Sequence, residues 1–252
     1  MIGNNKITAI IPTLNEEDNI AAAIKNVEFA DEIIVIDSFS SDNTIEIAQE
    51  NKVRILQRVF DDFSSQKNFA IDKAKHSWIY VLDADERISD KLKNEIIQTL
   101  NNPGEYVGFY IYRSFYFMGK KLRFSGYRND KVIRLFKKDK CKYDGKLVHE
   151  NINAVGELSF LKNKIEHYTY KNYGHYLQKT NNYAYLKALS LYKNGKRPNL
   201  YHFLIKPPVR FFIHYFFKLG ILDGYQGLVM SSVQAYGVFS RYVHLRNLNN
   251  KS

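Results

Sequence analysis

The residues best suited to chemistry are Asp83-Ala84-Asp85, which end the apolar run Trp78-Ile79-Tyr80-Val81-Leu82. A strand buried on both faces is continuously apolar, and the crevice of an open α/β sheet lies at the carboxyl ends of its strands. Two carboxylates there could serve different partners. One reaches a sugar hydroxyl, and the other a divalent cation that offsets the charge of phosphate oxygens. In isolation the same triplet would read as an acidic surface turn, so its surroundings have to decide. Two further groups share the setting. Pro12-Thr13-Leu14-Asn15-Glu16 follows the apolar run that ends at Ile11, and Glu32-Ile33-Ile34-Val35-Ile36 ends in Asp37-Ser38. No Gly-x-Gly-x-x-Gly follows the first run and no Gly-x-x-x-x-Gly-Lys-Ser/Thr occurs, so phosphates must be held by a cation instead of a glycine loop.

The elements needed to position these residues can be read from periodicity. The pattern predicts strands over 6–11, 32–37, 53–56 and 78–82, and a turn at Pro12. Helices are predicted over 19–30, 44–51 and 65–75, the second capped by the polar loop from Ser38 to Thr44. Alternating strands and helices imply a mostly parallel sheet with right-handed crossovers.

At 252 residues, 45% hydrophobic and 15% aromatic, the chain can bury a large core and is not a disordered polyelectrolyte. Its single cysteine, Cys141, excludes an internal disulfide and suits a reducing compartment; no signal peptide is evident near Met1, so the expected location is cytoplasmic. The net charge of +11 points to polyanions: nucleic acid, an anionic membrane or phosphorylated ligands. The first hundred residues are roughly balanced, and the Lys and Arg excess begins near Tyr112.

Ile10 to Glu16, Ile34 to Thr44, Gln66-Lys67-Asn68 and Asp83-Ala84-Asp85, in this order, resemble family-2 glycosyltransferases of the GT-A fold. Asp83 to Arg87, Arg134-Leu135-Phe136, Val148-His149-Glu150 and Asp223 to Gly227 narrow the resemblance to lipopolysaccharide core transferases that add β-linked glucose to heptose. The resemblance implies a GT-A domain over 1–170, with nucleotide-sugar binding in 1–100 and the acceptor and catalytic part in 101–170. A helical extension covers 171–252. It implies that Pro12, Thr13, Leu14, Asn15 and Glu16 line the base and ribose pocket and that Asp37 and Ser38 flank the nucleobase. Asp83 would hold the ribose, with Ala84 between the two acids, and Lys67 would approach a phosphate; Arg134 would contact the diphosphate or an acidic acceptor, with a structural salt bridge as the alternative. Asp85 would bind Mg²⁺ or Mn²⁺ with His167, ahead of His149, as a further ligand. Glu150 is the implied base that deprotonates the acceptor hydroxyl in an inverting displacement. Many relatives carry Asp-Asp where this chain has Asp37-Ser38, so the base stays open, with a UDP-sugar as the expected donor. The implied acceptor is a lipid-linked saccharide of the lipopolysaccharide inner core.

Near the C-terminus, Lys206, Arg210, His214 and Lys218 recur every four residues among Phe211, Phe212, Tyr215, Phe216 and Phe217. Behind Pro207-Pro208 this predicts a helix with a basic stripe and an aromatic face, suited to an anionic membrane surface, as is the apolar run from Leu228 to Phe239. An ordinary packing helix would show the same spacing. Two other functions fit parts of the sequence. A nucleotidyltransferase would need a glycine-rich basic loop after the first strand, which Pro12 to Glu16 is not. A non-enzymatic nucleic-acid or membrane-binding protein has no need of Asp83 and Asp85, and no nucleic-acid module is recognisable.

Overall fold

The computed structural model describes residues 5–145, 151–170 and 172–250. They divide into two compact units, Met1–Arg113 with Lys131–His167, and Ser114–Asp130 with Tyr168–Ser252. The C-terminal unit thus takes in a segment from the middle of the chain, which the expected boundary at residue 170 did not foresee.

The first unit runs β1 (Ile7–Thr13), α1 (Glu17–Asn26), β2 (Glu32–Asp37), α2 (Thr44–Glu50), β3 (Arg54–Gln57), α3 (Phe63–Lys73), β4 (Trp78–Val81), β5 (Glu86–Arg87) and α4 (Asp90–Asn101). After these come β6 (Gly108–Phe117), β7 (Lys120–Leu122), β8 (Lys131–Lys137), β9 (Cys141–Tyr143), β10 (Ile152–Ala154), β11 (Leu158–Phe160) and β12 (Ile165–Tyr170); β6 and β12 run on into the second unit, and β7 belongs to it. The main sheet has the order β3-β2-β1-β4-β8-β6-β12-β5. β3, β2, β1 and β4 are parallel, while β8 is antiparallel to both β4 and β6. Helices cover both faces, so Ile10, Ile34, Ile36, Ile79 and Val81 pack on one side while Ala9, Ile11, Val35, Trp78 and Tyr80 pack on the other. Each large apolar side chain so buried contributes about 1.5–3 kcal/mol.

Pro12 lies inside β1, not in a turn. Even-numbered residues of β1 face β4, and that ladder ends where Leu82 N donates to Ile10 O at 3.0 Å, so the missing N–H of Pro12 costs no sheet bond. The turn comes at Asn15, whose φ of 56° is a left-handed conformation that Asn tolerates.

The second unit holds α5 (Tyr173–Lys193), α6 (Leu200–Leu204), α7 (Lys206–Phe212), a π-helical turn Ile213–Phe217, a 3₁₀ turn Gly220–Asp223 and α8 (Tyr225–Asn250). Asp223 is buried and accepts from Arg123 N, Phe124 N and Ser125 Oγ at 2.9, 3.1 and 2.7 Å. A Cβ at Gly227 would lie 1.8 Å from Gly220 O, so only glycine lets the 3₁₀ turn close onto α8. The Asp223 to Gly227 motif is therefore explained by packing.

The basic row is turned the opposite way from the expected stripe. Lys206 Nζ donates to Tyr242 Oη at 2.7 Å and Arg210 Nη2 to Gln234 Oε1 at 3.0 Å, both on α8, and His214 is buried. Burial first, then the charges of Arg210 and Lys218, lower the His214 pKa to about 4, so it is neutral. Only Lys218 of the four is exposed. The residues that face outward are Leu204, Ile205, Val209, Phe212, Ile213, Phe216 and Phe217, the last 83% exposed. The run 228–239 is the middle of α8, where Met230 and Val233 are buried core residues of this unit. No helix among the described residues is long and apolar enough to cross a membrane.

Candidate active site

The Asp83 motif is a tight turn at the end of β4. Glu86 N donates to Asp83 O at 2.9 Å and Asp83 N to Glu86 Oε2 at 3.1 Å, closing the turn from both sides. Ala84 is buried, and its carbonyl accepts from Arg87 Nη1 at 2.7 Å. The turn separates the two acids by environment. The Asp83 carboxylate is held by Arg134 Nη2 and lies 3.6 Å from Lys67 Nζ, whereas Asp85 Oδ1 is 3.3 Å from His167 Nε2. His167 arrives through the antiparallel pairing of β12 with β5, in which it stands opposite Glu86.

Beneath the turn, Glu86 has no exposed surface and shares Arg134 with Asp83, at 2.6 Å, with Arg113 3.6 Å away. Burial alone would raise the Asp83 pKa, but Arg134, then Lys67, Arg113 and His167, hold it well below the usual carboxylate range. Burial likewise opposes the Arg134 charge, and Asp83 and Glu86 more than restore it, so the guanidinium stays protonated. Tyr80, below them on β4, has its phenol pushed up by burial and then by the charge of Glu86.

The structure sets Lys67 and Arg134 against carboxylates, which for Arg134 is the structural salt bridge that the sequence left open. Both are 3% exposed, and their cationic ends are committed to the carboxylates, with Lys67 also 5.2 Å above the Tyr143 ring. They set the charge and position of Asp83. The picture for Asp37 and Ser38 is similar. Asp37 is fully buried and accepts from Thr13 Oγ1 at 3.2 Å and Ser40 N at 2.9 Å, while Ser38 Oγ accepts from Gln66 Nε2 at 2.7 Å. These side chains fix the loop after β2 and do not line an open pocket.

The loop after β1 is laced to the loop after β2. Asn15 N donates to Ser40 Oγ at 2.9 Å, Ser41 N to Asn15 Oδ1 at 2.8 Å, and Glu16 N to Thr44 Oγ1 at 2.8 Å. Glu16 Oε2 accepts from Asn19 Nδ2 at 2.7 Å at the start of α1. Beside the exposed polar residues Asn15 and Ser41, these loops present two apolar side chains to solvent. Leu14 is 50% exposed and Phe39 55%, the latter in a left-handed conformation with φ 61°. Phe39 was missed in the sequence, where an aromatic among Ser and Asp residues was the available signal.

Asp83, Asp85, Lys67, Arg134 and His167 therefore converge at the end of β4, and Pro12 to Glu16 with Asp37 and Ser38 form the ends of the adjacent β1 and β2. Glu150 and His149 lie outside the described residues. No group of three or more His, Cys, Asp or Glu residues suited to a metal occurs among the described residues. The Asp85 and His167 pair nevertheless offers carboxylate oxygen with imidazole nitrogen, a donor set that fits a divalent cation completed by ligand oxygens.

Known proteins are similar to this chain. A lipopolysaccharide core biosynthesis glycosyltransferase, LpsC of Rhizobium meliloti, is 28% identical over 94% of this chain and 91% of its own. An uncharacterised glycosyltransferase of Rickettsia typhi is 29% identical over 98% of this chain and 89% of its own. Among solved structures, glucosyl-3-phosphoglycerate synthase of Mycobacterium tuberculosis with Mn²⁺, UDP and phosphoglyceric acid aligns over 44% of each chain at 19% identity and a TM-score of 0.38. Glycosyl transferase family 2 matches residues 8–155, more than half of the chain and all but the first residue of the parallel β3-β2-β1-β4 region. With this match and the acidic turn at the end of β4, the chain is a glycosyltransferase of the GT-A fold and belongs to glycosyl transferase family 2.

Proposed function

We propose that the protein transfers a hexose, with inversion, from a UDP-sugar to a lipid-linked saccharide of the lipopolysaccharide inner core. The observation that carries this reading is the division of labour in the Asp83 turn, with Asp83 neutralised by Arg134 and Asp85 set against His167. The acceptor class follows the name of the Rhizobium meliloti relative, which aligns over nearly the full length of both chains.

Phe39 and Leu14 offer apolar surface for the faces of the base, and the backbone from Pro12 to Glu16 is held in place by the Ser40 and Thr44 hydrogen bonds. Asp83, kept ionised, accepts hydrogen bonds from ribose hydroxyls. Asp85 and His167 hold a divalent cation, Mg²⁺ or Mn²⁺, which when bound stabilises the charge of the departing diphosphate. Glu150 takes the proton from the attacking hydroxyl, because inversion by single displacement requires a base on the acceptor side.

The test is nucleotide release from a panel of nucleotide sugars with Mn²⁺ or Mg²⁺. Turnover of no nucleotide sugar, together with turnover of an NTP plus sugar phosphate, would overturn the reading. The Glu150→Gln variant is expected to bind nucleotide as the wild type does and to lose about 10²–10⁴-fold in transfer rate. Normal turnover by that variant would remove Glu150 as the base.

The same reading places the protein on the cytoplasmic face of an anionic membrane. Support comes from the outward aromatic face of α7 and the π-turn, whose polar residues point into the unit. Leu222 and Tyr225, also exposed, extend this face into the next turn and the start of α8. A helix in water shows the reverse orientation. Replacing Phe217 and Leu222 together by Ser is expected to lower partitioning onto vesicles with anionic lipid at least tenfold, since each inserted apolar side chain is worth about 1.5–3 kcal/mol. Unchanged flotation of the double variant would refute this seat.

A further inference from the structure

The net positive charge of this protein lies in one of its units. The segments 114–130 and 168–252 contain sixteen Lys and Arg residues, and their only acids are Asp130 and Asp223. Asp223 is committed to the Arg123 and Phe124 amides and to Ser125. Within the same unit, a hydrogen-bonded chain links α7, α8 and α5, each of which carries a cation. Arg210 Nη2 of α7 donates to Gln234 Oε1 of α8 at 3.0 Å, and Gln234 Nε2 donates to Tyr176 Oη of α5 at 3.2 Å. Arg241 follows Gln234 by two turns on the same face of α8, and Lys187 follows Tyr176 by three turns on the same face of α5.

Among the described residues, no carboxylate pairs with Arg210 or Arg241. The Nε atoms of both guanidinium groups are buried and have no hydrogen-bond partner there. The groups also feel each other's charge. Burial first and Arg241 second lower the Arg210 pKa, and burial, Arg241 and Arg210, in that order, lower that of Lys187. Two half-buried guanidinium groups with orphaned Nε atoms, close enough to repel each other, oppose folding unless an anion joins them. Guanidinium forks suit oxyanions with several acceptor oxygens, and phosphate binds them bidentately.

We propose that Lys187, Arg210 and Arg241 form a binding site for a phosphate group, separate from the Asp83 turn and from the donor diphosphate. Its ligand is a phosphate monoester or inorganic phosphate, delivered either in solution or on a lipid headgroup. The site stands on the helical unit's own geometry and does not depend on the glycosyl-transfer reading.

The experiment uses the full-length protein at constant ionic strength. Inorganic phosphate replaces chloride in a thermal melt, and flotation compares vesicles containing phosphatidic acid with vesicles of phosphatidylglycerol at equal charge. The wild type is expected to show a saturable rise in Tm with phosphate, as a ligand specific for the folded state must produce, or a preference for phosphatidic acid. The first result identifies a soluble source and the second a lipid source. Arg241→Gln is expected to weaken the response at least tenfold and, in chloride alone, to melt no lower than the wild type, because a repelling charge has gone. Lys187→Gln supplies the same readout if Arg241→Gln fails to fold. A wild type that responds to neither probe, or variants that respond as the wild type does, would overturn the site. Nucleotide-sugar turnover measured in parallel keeps this outcome distinct from failure of the catalytic reading.

Discussion

Replacing Arg134 by Met is expected to be among the most destabilising single changes in the first unit, costing about 3–5 kcal/mol, the usual penalty for removing one member of a buried ion pair. Arg134 touches both Asp83 and Glu86, and Glu86 has no exposed surface, so the variant leaves its charge without its closest partner. Arg113, 3.6 Å from Glu86, and Lys67, 3.6 Å from Asp83, are too distant to replace two direct contacts. At this chain length the loss corresponds to a fall in Tm of roughly 2–4 °C per kcal/mol. Thermal and urea unfolding measure it, and a loss below 1 kcal/mol would show that the cluster does not hold the turn.

The pH dependence gives a second reading of the same group. Because the folded-state pKa of Asp83 lies below its unfolded value, the unfolded chain binds more protons in acid and stability rises with pH there. The contribution of Asp83 is therefore complete above the ordinary carboxylate pKa, about 4, and is lost as pH falls through the lowered value. In Arg134→Met the largest pKa-lowering charge is gone while burial remains, so the acid-side loss is expected to shrink and its window to move upward. An unchanged acid profile would contradict the assigned cause.

A large expected effect on both binding and activity belongs to Asp85. Asp85→Ala is expected to abolish Mn²⁺-dependent nucleotide binding and to reduce transfer by about 10³-fold or more, since metal stabilisation of a leaving diphosphate is worth several kcal/mol. His167→Ala is expected to act in the same direction with a smaller effect, because the carboxylate remains. The discriminating measurement is titration of Mn²⁺ with UDP by calorimetry. Asp85→Ala that binds UDP equally well with and without Mn²⁺, and still transfers sugar at the wild-type rate, would remove the cation from this position. Asp83→Asn separates the two acids. It is expected to weaken nucleotide binding while leaving the response to Mn²⁺ in place.

How the site was legible in the sequence follows from burial. β1, β2 and β4 are covered on both faces, so they appear as continuous apolar runs, and the polar residues ending them announce the crevice. The region from residue 102 to 170 gave no such signal. Four of its strands, β7, β9, β10 and β11, have only three residues, and their pairing is set by distant segments instead of local pattern. The ranking of His167 as a partner of Asp85 came from family resemblance; the pairing of β12 with β5 is what places it there.

By itself, the sequence determined the parallel half of the sheet, the family, and the place of Asp83 and Asp85 at the end of a buried strand. These properties are carried by residue type and local periodicity, which survive without knowledge of distant contacts. Tertiary structure decided what each charged side chain faces. Lys67 and Arg134, each open in the sequence to a phosphate role among others, are buried counter-charges of Asp83, because the α3 and β8 positions they occupy pack beneath the turn. The four-residue spacing of Lys206, Arg210 and His214 defined a helical face without saying which way it turns. Packing against α8 took that basic face inward and left the aromatic one outside, since the polar partners Gln234 and Tyr242 lie on α8. Spacing fixes which residues share a face, and only the neighbouring elements fix what that face meets.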